Sequence, residues 1–261
     1  MTRQSVYNVD CESQALQLAH RNAQNTFKFF WRELSWERRR IVPALDFSAV
    51  KIAFAVSPLS ETKPAHENMW VSDIEFDGET IKGLLMNTPQ WVSTLQCGDA
   101  IEAPLSDLDD WMYVSNDVVF GGFTVDAIRA SLSEAERSAH DEAWGLDFGV
   151  AGDVLVLAPT DAGPQGPVAE LERQEHPMSE STAEMFEQFL REAPSNVSDV
   201  DAQGWQMLHR EALAGNYAPV VALLKQGANT QAVTSQGMTA LQLAQRIGWP
   251  RIVNLLETAS R

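Results

Sequence analysis

The chain has 261 residues, 44% of them hydrophobic and 21% charged, and a formal net charge of −17. That length suits one large or two modest domains, and that apolar content fills a core, which excludes a disordered polymer. No apolar run approaches the roughly 18 residues of a membrane span and none follows the N-terminal methionine, so the expectation is a cytoplasmic protein without a secretory signal.

The first predicted element is a long helix. Leu16, Ala19, Ala23, Phe27, Phe30 and Leu34 recur at steps of three and four and make one apolar stripe. Asp10 and Ser13 stand near its start, Arg38, Arg39 and Arg40 near its end as capping charges, and Pro43 stops it. Strand texture follows, over residues 50–56, 69–76, 80–85, 101–103 and 111–114. Asp77-Gly78 marks a hairpin, and 107–110 reads as a turn. Residues 124–144 read as helical, with Ser133 and Glu136 as a capping box, and 154–157 as a closing strand. The fold class is therefore α+β: a long N-terminal helix with an antiparallel sheet, its helices on one side, over residues 1–158. Residues 159–176 form a Gly/Pro-containing linker.

Residues 177–261 carry a segment written twice. Gly204-Trp205-Gln206-Met207-Leu208-His209 opens one copy, and Gly237-Met238-Thr239-Ala240-Leu241-Gln242 opens the next. Gly215 and Gly248 repeat the interval from 204 to 237. Val220–Leu224 and Ile252–Leu256 align one position short of it, as though one residue were lost at the inter-helix turn. These landmarks resemble ankyrin repeats, whose period is about 33 residues. About two full units plus one partial make the C-terminal part an all-α ankyrin-repeat module. His209 falls where that family has a structural histidine. Gln206-Met207 departs from the family's Thr-Pro, and Glu211 occupies a small-residue position, which points to a locally open or partner-facing helix. So few units do not stand alone, so the region is expected to pack on the sheet part.

The sheet part resembles the bacterial family called domain of unknown function 2314. Met69-Trp70-Val71, Gly83 to Pro89, Cys97-Gly98-Asp99, Asp110 to Val114 and Gly121-Gly122-Phe123-Thr124 carry the resemblance. It implies a fold and a bacterial origin but no activity. Members joined to ankyrin repeats are similar in layout to proteins found near secreted-toxin genes.

Catalytic and metal motifs are missing. There is no phosphate loop, His-Glu-x-x-His or Gly-x-Ser-x-Gly, and the five histidines lack ligand spacing. Cys11 and Cys97 make no disulfide framework, and Cys97 reads as a partly buried thiol. His66 beside Glu67 is a solvated pair more readily than a catalytic one. Asp107, Asp109 and Asp110 lack the glycine and distal glutamate of a calcium loop. Neither cofactor nor metal is expected. Residues 41–200 hold 29 acidic and 7 basic side chains, a field that repels nucleic acid and membrane and attracts basic proteins, or simply solubilises.

The sequence therefore points to a non-enzymatic protein-binding protein. The first expectation is a bacterial immunity protein that neutralises a cognate toxin or effector. The alternatives are an ankyrin-type adaptor or regulator, or an enzyme with a site around His66, Cys97 and Asp99. Candidate contact residues are Gln203, Trp205, Asn216, Tyr217, Gln236, Met238 and Trp249 on the repeats, with Asp107, Asp109 and Asp110 on the acidic segment. Trp205 and Trp249 read either as exposed anchors or as residues packed against the sheet part.

Overall fold

A computed structural model of the chain describes residues 14–57, 63–158 and 166–260. Asp10, Cys11, Ser13 and residues 159–165 of the expected linker lie outside them. The chain divides into two compact units. The first takes residues up to Phe30 and from Arg40 to Gln165, and the second takes Trp31–Arg39 and everything from Gly166.

The first unit is built on six strands: β1 (Phe47–Ala55), β2 (His66–Phe76), β3 (Thr80–Leu85), β4 (Ala100–Pro104), β5 (Leu108–Ser115) and β6 (Val118–Gly121). They form one antiparallel sheet in the order β4-β3-β2-β1-β5-β6. Helix α1 (Gln14–Glu37) precedes it, and α2 (Phe123–Ser131) and α3 (Glu134–Trp144) follow. In β5, Asp110 to Val114 are buried without interruption, the mark of a strand covered on both faces. Trp111 and Met112 point to opposite faces. On the Trp111 side, α1 lays down Ala23, Phe27 and Phe30. The indole Nε1 donates to the Ala23 carbonyl at 3.0 Å, and the Phe30 and Trp111 rings lie 5.7 Å apart. Each such buried phenylalanine contributes about 1.5–3 kcal/mol. On the Met112 side, Trp70, Val119 and Val125 of α2 form a cluster against which Trp144 and Phe148 pack. Helices on one side were expected; they lie on both.

Several local readings change. Residues 124–144 form two helices, because the Ser133 hydroxyl accepts from Glu136 N–H while the Glu136 carboxylate accepts from Ser133 N–H, which starts a new helix. Residues 154–157 form no strand. The Leu155 carbonyl accepts from Gly121 and Val156 is buried. The sheet instead ends on β6, reached through Asn116-Asp117, whose φ values of 51° and 65° make a two-residue hairpin turn. Asp77-Gly78 does turn the chain. Gly78 has φ 96°, and Asp77 Oδ1 accepts from Glu79 and Thr80 N–H in place of a second positive φ. Residues 107–110 are the end of a 3-10 turn (Leu105–Asp107) and the start of β5.

The second unit holds the short helices α4 (Val168–Leu171) and α5 (Pro177–Ser181), then α6 (Ala183–Glu192), α7 (Met207–Ala214), α8 (Tyr217–Lys225), α9 (Ala240–Ile247) and α10 (Pro250–Ala259). Residues 31–39, the end of α1 and its continuation, complete this unit. Among the described residues no helix is long and apolar enough to cross a membrane.

Candidate functional site

Helices α7–α8 and α9–α10 are two pairs made by the same local devices. Gly204 and Gly237 turn with φ 77° and 78°, and Gly215 and Gly248 close α7 and α9 with φ 75° and 81°. Asp201 N–H donates to the Trp205 carbonyl and Thr234 N–H to the Met238 carbonyl; Gly204 donates to Asp201 and Gly237 to Thr234. Asn216 donates to Glu211 as Trp249 does to Ala244, and Val220 to Asn216 as Val253 does to Trp249. Each partner keeps the same interval to its counterpart, that from 204 to 237, through the inter-helix turn and beyond it. The expected loss of one residue at that turn is thus corrected. Leu223 corresponds to Leu256, both fully buried, so the doubled leucines of the two copies are out of register by one.

The pairs are locked by polar groups. His209 is buried. Its Nδ1 accepts from Gln206 N–H at 3.0 Å, which leaves the hydrogen on Nε2 for the Ala232 carbonyl at 2.9 Å. Burial holds its pKa below the ordinary 6.5. Thr239 and Gln242 cap α9 reciprocally. Trp249 is 2% exposed; it donates to the Leu213 carbonyl at 3.1 Å and lies flat on Gly215, where an added Cβ would come within 2.2 Å of the indole.

The end of α1 enters the same framework. Trp36 Nε1 donates to Asn216 Oδ1 at 2.8 Å, and Asn216 Nδ2 donates to Glu211 Oε2 at 2.8 Å. Arg39 grips Glu211 with both terminal nitrogens, at 2.8 and 3.3 Å, and stacks on Trp36. His176 stacks on Trp36 and bonds Glu33 at 2.9 Å. Glu211 is therefore a buried anchor, neither locally open nor partner-facing. Arg39 is half of an ion pair and Arg38 covers the Trp31 ring, where simple capping charges were expected.

The candidate contact residues separate by burial. Trp205, Asn216 and Trp249 are interior, so the tryptophans are packing residues; they pack within the second unit and are not exposed anchors. Tyr217 is half-buried under the Arg251 guanidinium at 4.2 Å, and Met238 is half-buried beside Arg246. Gln203 and Gln236 are exposed at equivalent loop positions. Beside them stand two residues that sequence reasoning missed, Val200 and Val233, 62% and 53% exposed and again one repeat apart. The available signal was an apolar residue repeated in a loop, where burial does not call for one.

The three aspartates have three different situations. Asp107 is half-buried and accepts from Ser106. Asp109 is paired with Lys51 at 3.3 Å and with His20 at 3.5 Å. Asp110 is fully buried at the start of α2, where it accepts from the backbone N–H groups of Trp111, Phe123 and Thr124 and from the Thr124 hydroxyl. Burial raises its pKa against the pull of Lys51 and those bonds. Only Asp107 of the three is left for a partner. Cys97 is exposed rather than partly buried, with its Sγ directed at the Met86 carbonyl. Asp99 caps Gln96, and the Glu67 carboxylate holds the N–H groups of Gln90, Trp91 and Val92. Among the described residues no three His, Cys, Asp or Glu side chains gather as a metal site.

The family model described as an uncharacterized protein conserved in bacteria (DUF2314) matches residues 13–148. A protein of Neisseria meningitidis serogroup B, named as a candidate ankyrin repeat protein, is 40% identical over 252 residues, which is 97% of this chain and 96% of that one. The uncharacterized protein YegJ of Escherichia coli K12 is 27% identical over 70 residues, 27% of this chain and 46% of its own length.

Proposed function

The chain belongs to the DUF2314 family, conserved in bacteria, and from that premise we propose that it acts by binding another protein through a C-terminal ankyrin-type module, with no reaction of its own. The supporting observation is that two helix pairs repeat the same hydrogen bonds and left-handed glycines at one interval. That interval is the ankyrin period of about 33 residues. The name of the Neisseria relative, similar over nearly its whole length, agrees with it. Repeats of this type offer their loop tips and helix faces to partners. Here those tips present Val200, Gln203, Val233 and Gln236. Paired exposed valines flanked by amides give an apolar contact with a polar rim.

The narrower form of this reading is a bacterial immunity protein acting on a basic toxin or effector. Its support is the acidic stretch 41–200, which speeds association with a cationic partner. Affinity capture from the native bacterium with the full chain, compared with a Val200→Asp/Val233→Asp variant, tests the general claim. A partner lost from the variant is expected, while one retained equally on both removes the repeat tips from the interface. Expressing the captured partner alone tests the narrower form. Growth arrest relieved by co-expression is expected, and a harmless partner leaves an adaptor or regulator in its place.

A further inference from the structure

A cleft in the first unit has no part in the protein-binding reading, and its chemistry is distinct. It measures about 420 Å³, within the range of small-molecule sites, roughly 300–1,000 Å³. Leu16, His20 and Arg21 of α1, Lys51 of β1, Asp109 of β5 and Ile128 of α2 line it. A β-bulge shapes it. Lys51 pairs with Asp110 but Ile52 pairs with Leu108, so Asp109 is an extra residue in β5. A regular strand sends consecutive side chains to opposite faces. The bulge aims the Asp109 carboxylate at Lys51, whose register partner is Asp110, and bulges commonly re-aim side chains beside binding sites.

Lys51 is the fixed floor. Its ammonium bonds the Thr124 hydroxyl, pairs with Asp109 and lies over the Trp70 ring at 5.3 Å. Asp110, which caps α2, is its register partner on β5. His20 turns Nδ1 toward Asp109, which leaves Nε2 as the ring nitrogen open to a ligand. Arg21 is exposed and, among the described residues, makes no hydrogen bond or ion pair. In a chain with 36 acidic and 19 basic residues, the cleft is lined by Lys51, held by Asp109, and by the Arg21 guanidinium at its rim, which no lining carboxylate engages. Leu16 and Ile128 supply apolar wall.

We infer that this cleft binds a small organic carboxylate with an apolar body, its carboxylate on Arg21 and its body against Leu16 and Ile128. A planar guanidinium matches a carboxylate with two parallel hydrogen bonds. A cationic ligand meets Lys51 and Arg21, and a bare anion gains nothing from the apolar wall.

The test is ligand-observed NMR titration of the full chain with hexanoate, hexanol and inorganic phosphate. Hexanoate is expected to bind more tightly than either control. Arg21→Gln is expected to weaken hexanoate roughly tenfold or more and to leave hexanol unchanged, since a charge-assisted bond is removed. Arg21 is exposed, so the variant keeps the fold, which circular dichroism checks. Ile128→Asn weakens both organic probes. The inference is overturned if hexanoate does not bind, if phosphate binds as well, or if R21Q binds hexanoate as the parent does. An acetyl-Ala-Leu peptide tighter than hexanoate would also overturn it, by assigning the cleft to chain termini. None of these outcomes bears on the valine variant that tests partner binding.

Discussion

Arg39→Ala is expected to destabilise the second unit more than Glu211→Ala does, although both cut the same ion pair. The reason lies in what each deletion leaves behind. The Glu211 side chain is 5% exposed and the Arg39 side chain 35%. Without Arg39, a buried carboxylate keeps only the Asn216 amide, and breaking a buried pair in this way costs about 3–5 kcal/mol. Without Glu211, the Arg39 guanidinium, open to water over a third of its surface, rehydrates. The main residue of that deletion is the fully buried Asn216 Nδ2, an orphan donor worth about 1–3 kcal/mol. Arg39 also covers the Trp36 ring at 4.6 Å, a further loss of about 0.5–1 kcal/mol in R39A alone.

Urea unfolding of both single variants and the double variant, followed by tryptophan fluorescence, measures these costs. Trp36 bonds to Asn216 within the affected network and provides a local reporter. The expected order is R39A, then E211A, with the double variant less destabilised than the sum, because the second deletion removes the group the first had stranded. Equal costs, or an R39A cost below about 0.5 kcal/mol, the size of an ordinary surface substitution, would refute the reasoning from burial.

Gly215→Ala forces a side chain into φ 75° and against Trp249. The left-handed conformation costs about 1–2 kcal/mol. Gly227→Ala has φ 81° but open space around it, so the difference between their thermal midpoints isolates the indole contact; equal midpoints refute it. His209, with its pKa lowered by burial, is neutral in the folded state. Its contribution is therefore complete above about pH 6.5 and lost as pH falls through the folded value, at a slope approaching ~1.4 kcal/mol per pH unit. His209→Asn removes that slope, and wild-type and variant curves that stay parallel between pH 7 and 5 contradict the assignment. Asp110→Ala strands three donors at the start of α2 and the Trp111 N–H of β5, an expected loss of about 3–5 kcal/mol by chemical denaturation, while Asp110→Asn keeps one acceptor and loses less.

What the sequence made legible was what local physics determines. The α1 stripe, the Thr80–Leu85 strand, the Ser133 capping box and the glycines at 204, 215, 237 and 248 each follow from spacing or from a conformation few residues adopt. What stayed hidden depends on pairs remote in the chain. Glu211 at a small-residue position looked like an opening, because its partner Arg39 lies 172 residues earlier. Trp249 stayed undecided between an anchor for a partner and a residue packed on the sheet part, because nothing local says that Gly215 leaves room for an indole. Asp109 and Asp110 looked like one acidic surface, and only the bulge opposite Lys51 separates a cleft wall from a buried helix cap. A sequence signal for that site did exist: a lysine inside the apolar run Val50-Lys51-Ile52 needs a counter-charge wherever both faces of its strand are covered. The same logic governs the repeat tips. Val200 and Val233 stand exposed at equivalent positions of the two copies, and that recurrence of an apolar side chain in a loop was itself readable from the spacing of 204 and 237.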